Sequence, residues 1–315
     1  MLGHDPRLTI AENYRRFARE EAAGRSPLYA ELAGRIAGDP ALLAFLAEQP
    51  PARRQPNLLL AAVRHRYGTQ PGYGAFRATV LEHREALAGE LARRRTQTNE
   101  PARCAVLLPL LAGLPQPLAL LEVGASAGLC LLPDRYGYRY GAHRIGSSEL
   151  TLECAPRGPV PLPERPPEVV WRAGIDLDPV DLGDPDAVAW LEALVWPDQP
   201  ARLARLRTAV AIARREPPRV VRGDLLDRLE DVARGAPAAA TLVVFHTAIL
   251  AYVDEAQRRE FARRVSALDG EWIANEAPGV TPVVDAGPGP AHFVIAHGGR
   301  PVARCDPHGA WLEWL

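Results

Sequence analysis

No lysine occurs in the 315 residues, so all 37 basic residues are arginine. That absence excludes Schiff-base chemistry, a lysine general base and a Walker-type phosphate lysine. It accompanies 31 prolines and a single methionine, a bias of GC-rich coding, so no arginine earns a role from composition alone. Cysteine is scarce as well. Cys104, Cys130, Cys154 and Cys305 are scattered with no CxxC pair, which disfavours a zinc knuckle and reads as reduced, mostly buried thiols. Neither sign of charge is in excess, with 38 acidic residues against 37 basic ones. This balance argues against a nucleic-acid partner, because non-specific phosphate binding needs surplus positive charge. Long hydrophobic runs are missing too. Leu118–Val123 and Thr241–Phe245 are among the most apolar stretches, far short of the roughly 20 residues of a membrane helix. Met1–Pro6 has no basic segment followed by an apolar one, as a secretory leader would. The expectation is a cytoplasmic protein with no membrane partner.

What is present divides at about residue 115. Over residues 8–114 apolar residues recur at helical spacing, as in Tyr14 and Phe17, Leu28, Leu32 and Ile36, and Leu87 and Leu91. Ser26-Pro27 reads as a helix start, and breaks at Asp39-Pro40, Gln49-Pro50-Pro51 and Gly68–Gly74 predict five or six helices. From Leu118 short apolar runs take over, at 118–123, 219–221, 241–245, 272–274 and 292–296, and helical segments separate several of them. Asp184-Pro185 opens one such helix. Strands alternating with helices predict a doubly wound, mostly parallel α/β sheet. The predicted domains are an all-helical cap over 1–115 and a sheet domain over 116–315, with the Pro-rich run 156–167 as a surface loop.

The most informative segment is Leu120-Leu121-Glu122-Val123-Gly124-Ala125-Ser126-Ala127-Gly128-Leu129. A strand carries an acid near its end, and a turn of small residues follows. Small residues let a ligand approach the backbone, and Glu122 can accept a ligand ammonium; the same turn can also be purely structural. Gly124, Ser126 and Gly128 equally fit the G-x-S-x-G elbow of a serine hydrolase with Ser126 as nucleophile. Asp224 and His292 or His297 would follow in the right order. Against the hydrolase stand the missing upstream oxyanion loop and the desolvation of Glu122 in a buried strand. Asp224 ends a second strand, where it can hold a ligand amine or cap the next helix. His246 ends a third, where it can serve as base or as structural residue. Asn99, Glu100 and Arg103 form a polar patch ahead of an apolar helix. They either cap that helix or close over the glycine turn on a bound ligand.

Several blocks together resemble a bacterial family, domain of unknown function 2332. They are Gln55–Leu59, Arg95–Glu100 with Arg103, Leu121–Leu129, Asp134–Gly141, Gly174–Pro179, Trp190-Leu191 with Val195–Pro197, Gly223-Asp224 and Val243–His246. The resemblance spans roughly residues 10–310, and the family is similar in its sheet to class I S-adenosylmethionine-dependent methyltransferases. It implies a Rossmann-like sheet under an N-terminal helical cap, with S-adenosylmethionine as cofactor and a small molecule as substrate. Glu122, Gly124, Ser126 and Gly128 would shape the cofactor pocket, and Asp224 would hold the adenine. Asn99, Glu100 and Arg103 would touch substrate, with His246 as the catalytic candidate. Two departures stand out. If Tyr136–Tyr140 is the second strand, no carboxylate follows it to bind ribose. Pro133 also interrupts the first helix, and the long separation of Glu122 from Asp224 implies an insertion over 142–218. The alternatives are the serine hydrolase and a non-catalytic ligand-binding protein.

Overall fold

Caps and prolines set where several helices begin. Ser26, Asp39 and Asp184 each precede a proline at the first helical position, and each side chain accepts a backbone N–H of the first turn. The computed structural model describes residues 7–282 and 292–315, so the expectation for Met1–Pro6 lies outside the described residues. In chain order the described helices are α1 (Ile10–Arg16), α2 (Pro27–Ile36), α3 (Pro40–Ala47), α4 (Pro56–Tyr67), α5 (Tyr73–Glu82), α6 (Arg84–Arg93), α7 (Arg103–Gly113), α8 (Pro185–Leu194), α9 (Pro200–Arg215), α10 (Leu225–Ala233) and α11 (Glu255–Val265). The strands are β1 (Leu118–Val123), β2 (Gly137–Tyr140), β3 (His143–Ile145), β4 (Thr151–Glu153), β5 (Ala155–Arg157), β6 (Val169–Asp176), β7 (Arg219–Arg222), β8 (Thr241–Thr247), β9 (Glu271–Glu276), β10 (Phe293–His297), β11 (Arg300–Cys305) and β12 (Trp311–Trp314). Seven helices thus precede the first strand, where five or six were expected.

The chain forms two compact units. One takes the residues up to Thr98 together with Asp184–Ala204, and the other takes Asn99–Gly183 with Arg205–Leu315. The boundary therefore falls at 98/99 rather than 115, and part of the expected insertion belongs to the helical unit. That unit buries Tyr14, Phe45, Leu59 and Leu91 around Trp190 and Trp196 from the inserted segment. Each indole N–H is satisfied, Trp190 donating to the Arg95 carbonyl at 2.9 Å and Trp196 to Asn57 Oδ1 at 2.9 Å. Full burial of side chains this large is the main stabilising term of such a unit.

The second unit is mixed α/β with a large, mostly parallel central sheet. Its strand order is β5-β12-β11-β10-β9-β8-β1-β6-β7. β7, β6, β1, β8 and β9 run parallel, while β10 and β11 alternate in direction. All six residues of β1 are buried, as expected of a strand covered on both faces. α10 and α11 cover one face through Leu229, Val232, Phe261 and Val265. β3, β2 and β4 form a separate small sheet. Tyr136–Tyr140 is therefore not the neighbour of β1. That place belongs to β6, which the sequence reading missed, and β6 ends in a carboxylate, Asp176. The apparent lack of an acid beside the glycine turn is corrected accordingly. No α-helix follows β1; two short 3₁₀ turns, Leu129–Leu131 and Pro133–Arg135, take its place, as Pro133 requires.

Candidate functional site at the carboxyl edge of the sheet

Chain direction reverses its course across the sheet at β1. From there β6 and β7 are laid down on one side, then β8 and β9 on the other. The carboxyl edge at such a reversal is where open α/β sheets hold ligands. Backbone strain concentrates here. Ser126 (φ +51°) and Ala248 (φ +57°) are the non-glycine residues with left-handed backbone among those described. One follows β1 and the other follows the adjacent β8. Each costs on the order of 1–3 kcal/mol, and such costs cluster where a fold serves a ligand.

The turn is fixed from several directions. Gly124 (φ +74°) and Gly128 (φ +70°) both lie in the left-handed region. A Cβ on Gly124 would fall 2.5 Å from Ile249, and one on Gly128 would fall 2.8 Å from Pro218. Packing within the chain thus demands both glycines whether or not a ligand is present. The backbone N–H groups of the turn are all engaged. Those of Gly124 and Ala125 donate to the Ile175 carbonyl, and that of Gly128 to the Ala125 carbonyl. Ser126 N–H donates to Asp176 Oδ2 at 2.8 Å, and Ala127 N–H to Asn99 Oδ1 at 3.0 Å. Asn99 also donates from Nδ2 to Ser126 Oγ at 2.9 Å. Hence Asn99 does reach the turn, but from within the sheet unit rather than from the helical one.

The other sequence candidates sit around this edge with distinct surroundings. Glu122 is 3 % exposed, and its Oε2 has no hydrogen-bond partner among the described residues. Burial pushes its carboxyl well above the usual range; Cys130 and Asp176 add to the rise and Arg103 opposes it. Glu100 is buried and ion-paired with Arg205 Nε at 2.8 Å. Arg103, 4 % exposed, donates from Nε to the Pro307 carbonyl and from Nη1 to the carbonyl and hydroxyl oxygens of Thr247. Asp224 caps α10 by accepting Leu226 N–H at 2.8 Å.

His246 is fully buried and held at both ring nitrogens. Nε2 accepts from Trp272 Nε1 at 3.1 Å, which leaves the proton on Nδ1 to donate to Glu276 Oε1 at 2.8 Å. Glu276 Oε1 also accepts the N–H groups of Ile249 and Leu250. His246 therefore supports the strained segment after β8 and presents no free nitrogen. Nor does any hydrogen bond join Ser126 Oγ to a histidine among the described residues.

Residues the sequence reading did not assign complete the edge: Asp176, Thr247, Asn275 and Glu276. A signal existed for two of them. Asp176 ends an apolar run in one of the family-like blocks, and Asn275 is among only four asparagines in the chain. No group of three or more metal-ligating side chains occurs among the described residues, and no described helix is long and apolar enough to cross a membrane.

The sequence profile of domain of unknown function 2332, an uncharacterized protein conserved in bacteria, matches residues 11–314. The chain belongs to this family. No curated protein and no solved structure matches it. Within this member of the 2332 family, the edge described above is the place where strain, buried acids and unpartnered polar atoms coincide.

Proposed function

We propose that this protein is an S-adenosylmethionine-dependent methyltransferase acting on a small molecule, built on a Rossmann-like sheet. One observation carries the reading. Glu122, Asp176 and Asp224 stand at or just past the carboxyl ends of β1, β6 and β7, three strands adjacent in the sheet. With strands about 4.8 Å apart, the row spans about 10 Å, the scale of a nucleoside. The donors of the turn are already used, and three acids flank it. A phosphate would meet no free amide and the carboxylates of Asp176 and Asp224, which disfavours dinucleotides and nucleoside triphosphates. A cationic, phosphate-free adenosine derivative suits the same edge. The order β7-β6-β1-β8-β9 also follows the 3-2-1-4-5 pattern of doubly wound nucleotide-binding sheets, which is support by analogy.

In this reading Glu122 accepts hydrogen bonds from the amino-acid end, Asp176 faces the ribose hydroxyls and Asp224 faces the adenine amine. Bound S-adenosylmethionine supplies an electrophilic methyl group. The chain's task is to align an acceptor with it and keep water away, so proximity and orientation provide the acceleration and no nucleophilic side chain is needed. His246, fully engaged, positions the 248–250 segment.

The test is thermal unfolding titrated with S-adenosylmethionine and S-adenosylhomocysteine. A ligand bound only by the folded state raises stability by about 2.7 kcal/mol at 100 times its Kd. The expected outcome is a saturable rise in Tm that Asp176→Asn weakens at least about tenfold. No rise at millimolar ligand removes the proposal. Labelling of Ser126 by a fluorophosphonate would replace it with the hydrolase.

A further inference from the structure

The face of the sheet opposite α10 and α11 carries a set of buried polar groups of which only Glu122 has a role above. Strand register places them together. Glu122 pairs with Phe245, and Thr247 lies two residues on along β8, hence on the same face. Thr247 pairs with Asn275, Asn275 with Ile295, and Phe293 with Cys305. Cys305 Sγ donates to Asn275 Oδ1 at 3.3 Å, which confirms the shared face. Across the edge lies Arg103, bonded to Thr247, with its guanidinium 5.9 Å from the centre of the Phe293 ring.

The inventory of used and unused atoms gives the chemistry. Asn275 is fully buried, and its Nδ2 donor has no partner among the described residues. Leaving such a donor unmet costs roughly 1–3 kcal/mol, so its presence asks for an acceptor. The bonds of Arg103 engage Nε and Nη1, leaving Nη2 as the guanidinium donor for a ligand. Nearby, Glu122 Oε2 is an acceptor without a donor. Arg103 lies near enough to oppose the rise of the Glu122 carboxyl, yet the two form no ion pair within 4 Å. Two spare donors beside one spare acceptor match a ligand that carries a carboxylate next to an amine.

We propose that Arg103 and Asn275 bind a carboxylate, and Glu122 the neighbouring ammonium, of an α-amino-acid end group. The proposal deepens the reading of this site and rests on it only for the source of that group, which is either the amino-acid arm of the adenosine cofactor or a free amino-acid substrate. On the nucleoside source, the arm runs from β1 toward β9 while the ribose and adenine run the other way, toward β7.

Calorimetric titration of the unaltered protein with four probes separates the cases. S-adenosylhomocysteine carries the end group, and 5′-methylthioadenosine lacks it. L-methionine carries it without the nucleoside, and 3-(methylthio)propylamine lacks the carboxylate. The expected result is that S-adenosylhomocysteine binds about 10–100-fold tighter than 5′-methylthioadenosine, the range for hydrogen bonds to a charged group. Binding of L-methionine alone, lost in the propylamine, upholds the subsite for a free amino acid and removes the nucleoside reading. Equal binding of the two nucleosides overturns the subsite while the nucleoside reading stands. Silence from all four overturns both.

Asn275→Leu supplies a second measure. Replacing an unmet buried donor by an apolar isostere should hold or raise Tm, while binding of S-adenosylhomocysteine falls at least about tenfold and that of 5′-methylthioadenosine is unchanged. An equal loss for both nucleosides overturns the role of Asn275 in the subsite.

Discussion

At the level of single residues, Glu122 shows what a sequence can and cannot reveal. Its type and place, an acid near the end of an apolar strand before a glycine turn, were legible. Its environment was not, because the groups that surround it come from α7, β6 and the turn after β1. Burial and the neighbouring Cys130 and Asp176 hold its carboxyl well above the usual range, with Arg103 pulling the other way. A raised folded-state value means that the protonated acid suits the native state. Its contribution is complete below the ordinary carboxylate range near 4.5 and is lost as pH rises through the folded-state value. Glu122→Gln, which mimics the neutral form, should therefore match the unaltered protein in Tm at pH 4 and exceed it increasingly toward pH 8. A Tm difference that stays constant with pH would contradict this account. The glycines teach the converse. Gly124 and Gly128 look like ligand-driven choices in the sequence, yet Ile249 and Pro218 already fill the space their side chains would need.

Among secondary-structure elements, those with local causes were the ones read correctly. β1 and β8 are near-continuous apolar runs, and α2, α3 and α8 begin at a cap residue followed by proline. β6 was missed because Arg172 interrupts its apolar pattern, and because neighbours in the chain need not be neighbours in a sheet. Tyr136–Tyr140, expected as the second strand of the main sheet, instead builds a small one. Asp39 illustrates how a local cap acquires a longer reach. It accepts from Ala41 and Leu42 at the start of α3 and from Tyr73 and Arg77 of α5. Burial alone would raise its carboxyl, but the bonds from Tyr73, Arg77 and the backbone hold it down to about 2. Asp39→Ala should cost about 1–2 kcal/mol near neutral pH, measured by denaturant unfolding. A depressed acid stabilises above its unfolded value of 3.8 and stops doing so as pH falls through about 2. The deficit should accordingly be near complete above pH 4 and shrink steadily as pH falls toward 2; a deficit as large at pH 2 as at pH 7 refutes the cause.

For the whole molecule, the division into a helical and a sheet part was legible from the change of apolar period near residue 115, but its edges were not. α7 is buried along its length and belongs with the sheet, and Asp184–Ala204 leaves the sheet unit to join the helices. Periodicity marks helices wherever they pack, so it cannot assign one to a unit. The helical unit draws Trp190 and Trp196 from that later segment, and removing a buried Trp side chain typically costs about 3–5 kcal/mol. Residues 1–98 produced alone should therefore lack a cooperative thermal transition. Joining 184–204 to them through a flexible Gly/Ser linker should restore one. A sharp transition in the shorter chain would show that the two tryptophans are dispensable.

β5 pairs with β12 across half the chain in sequence. During synthesis β5 emerges first, and at typical rates of about 5–20 residues per second it waits on the order of ten seconds or more for its partner. It is three residues long and carries a proline at its centre, Pro156, which removes one donor and makes it a poor template for another strand. The weakness of this strand thus acts as protection on the ribosome, keeping the unfinished sheet from pairing with other nascent chains before β12 arrives.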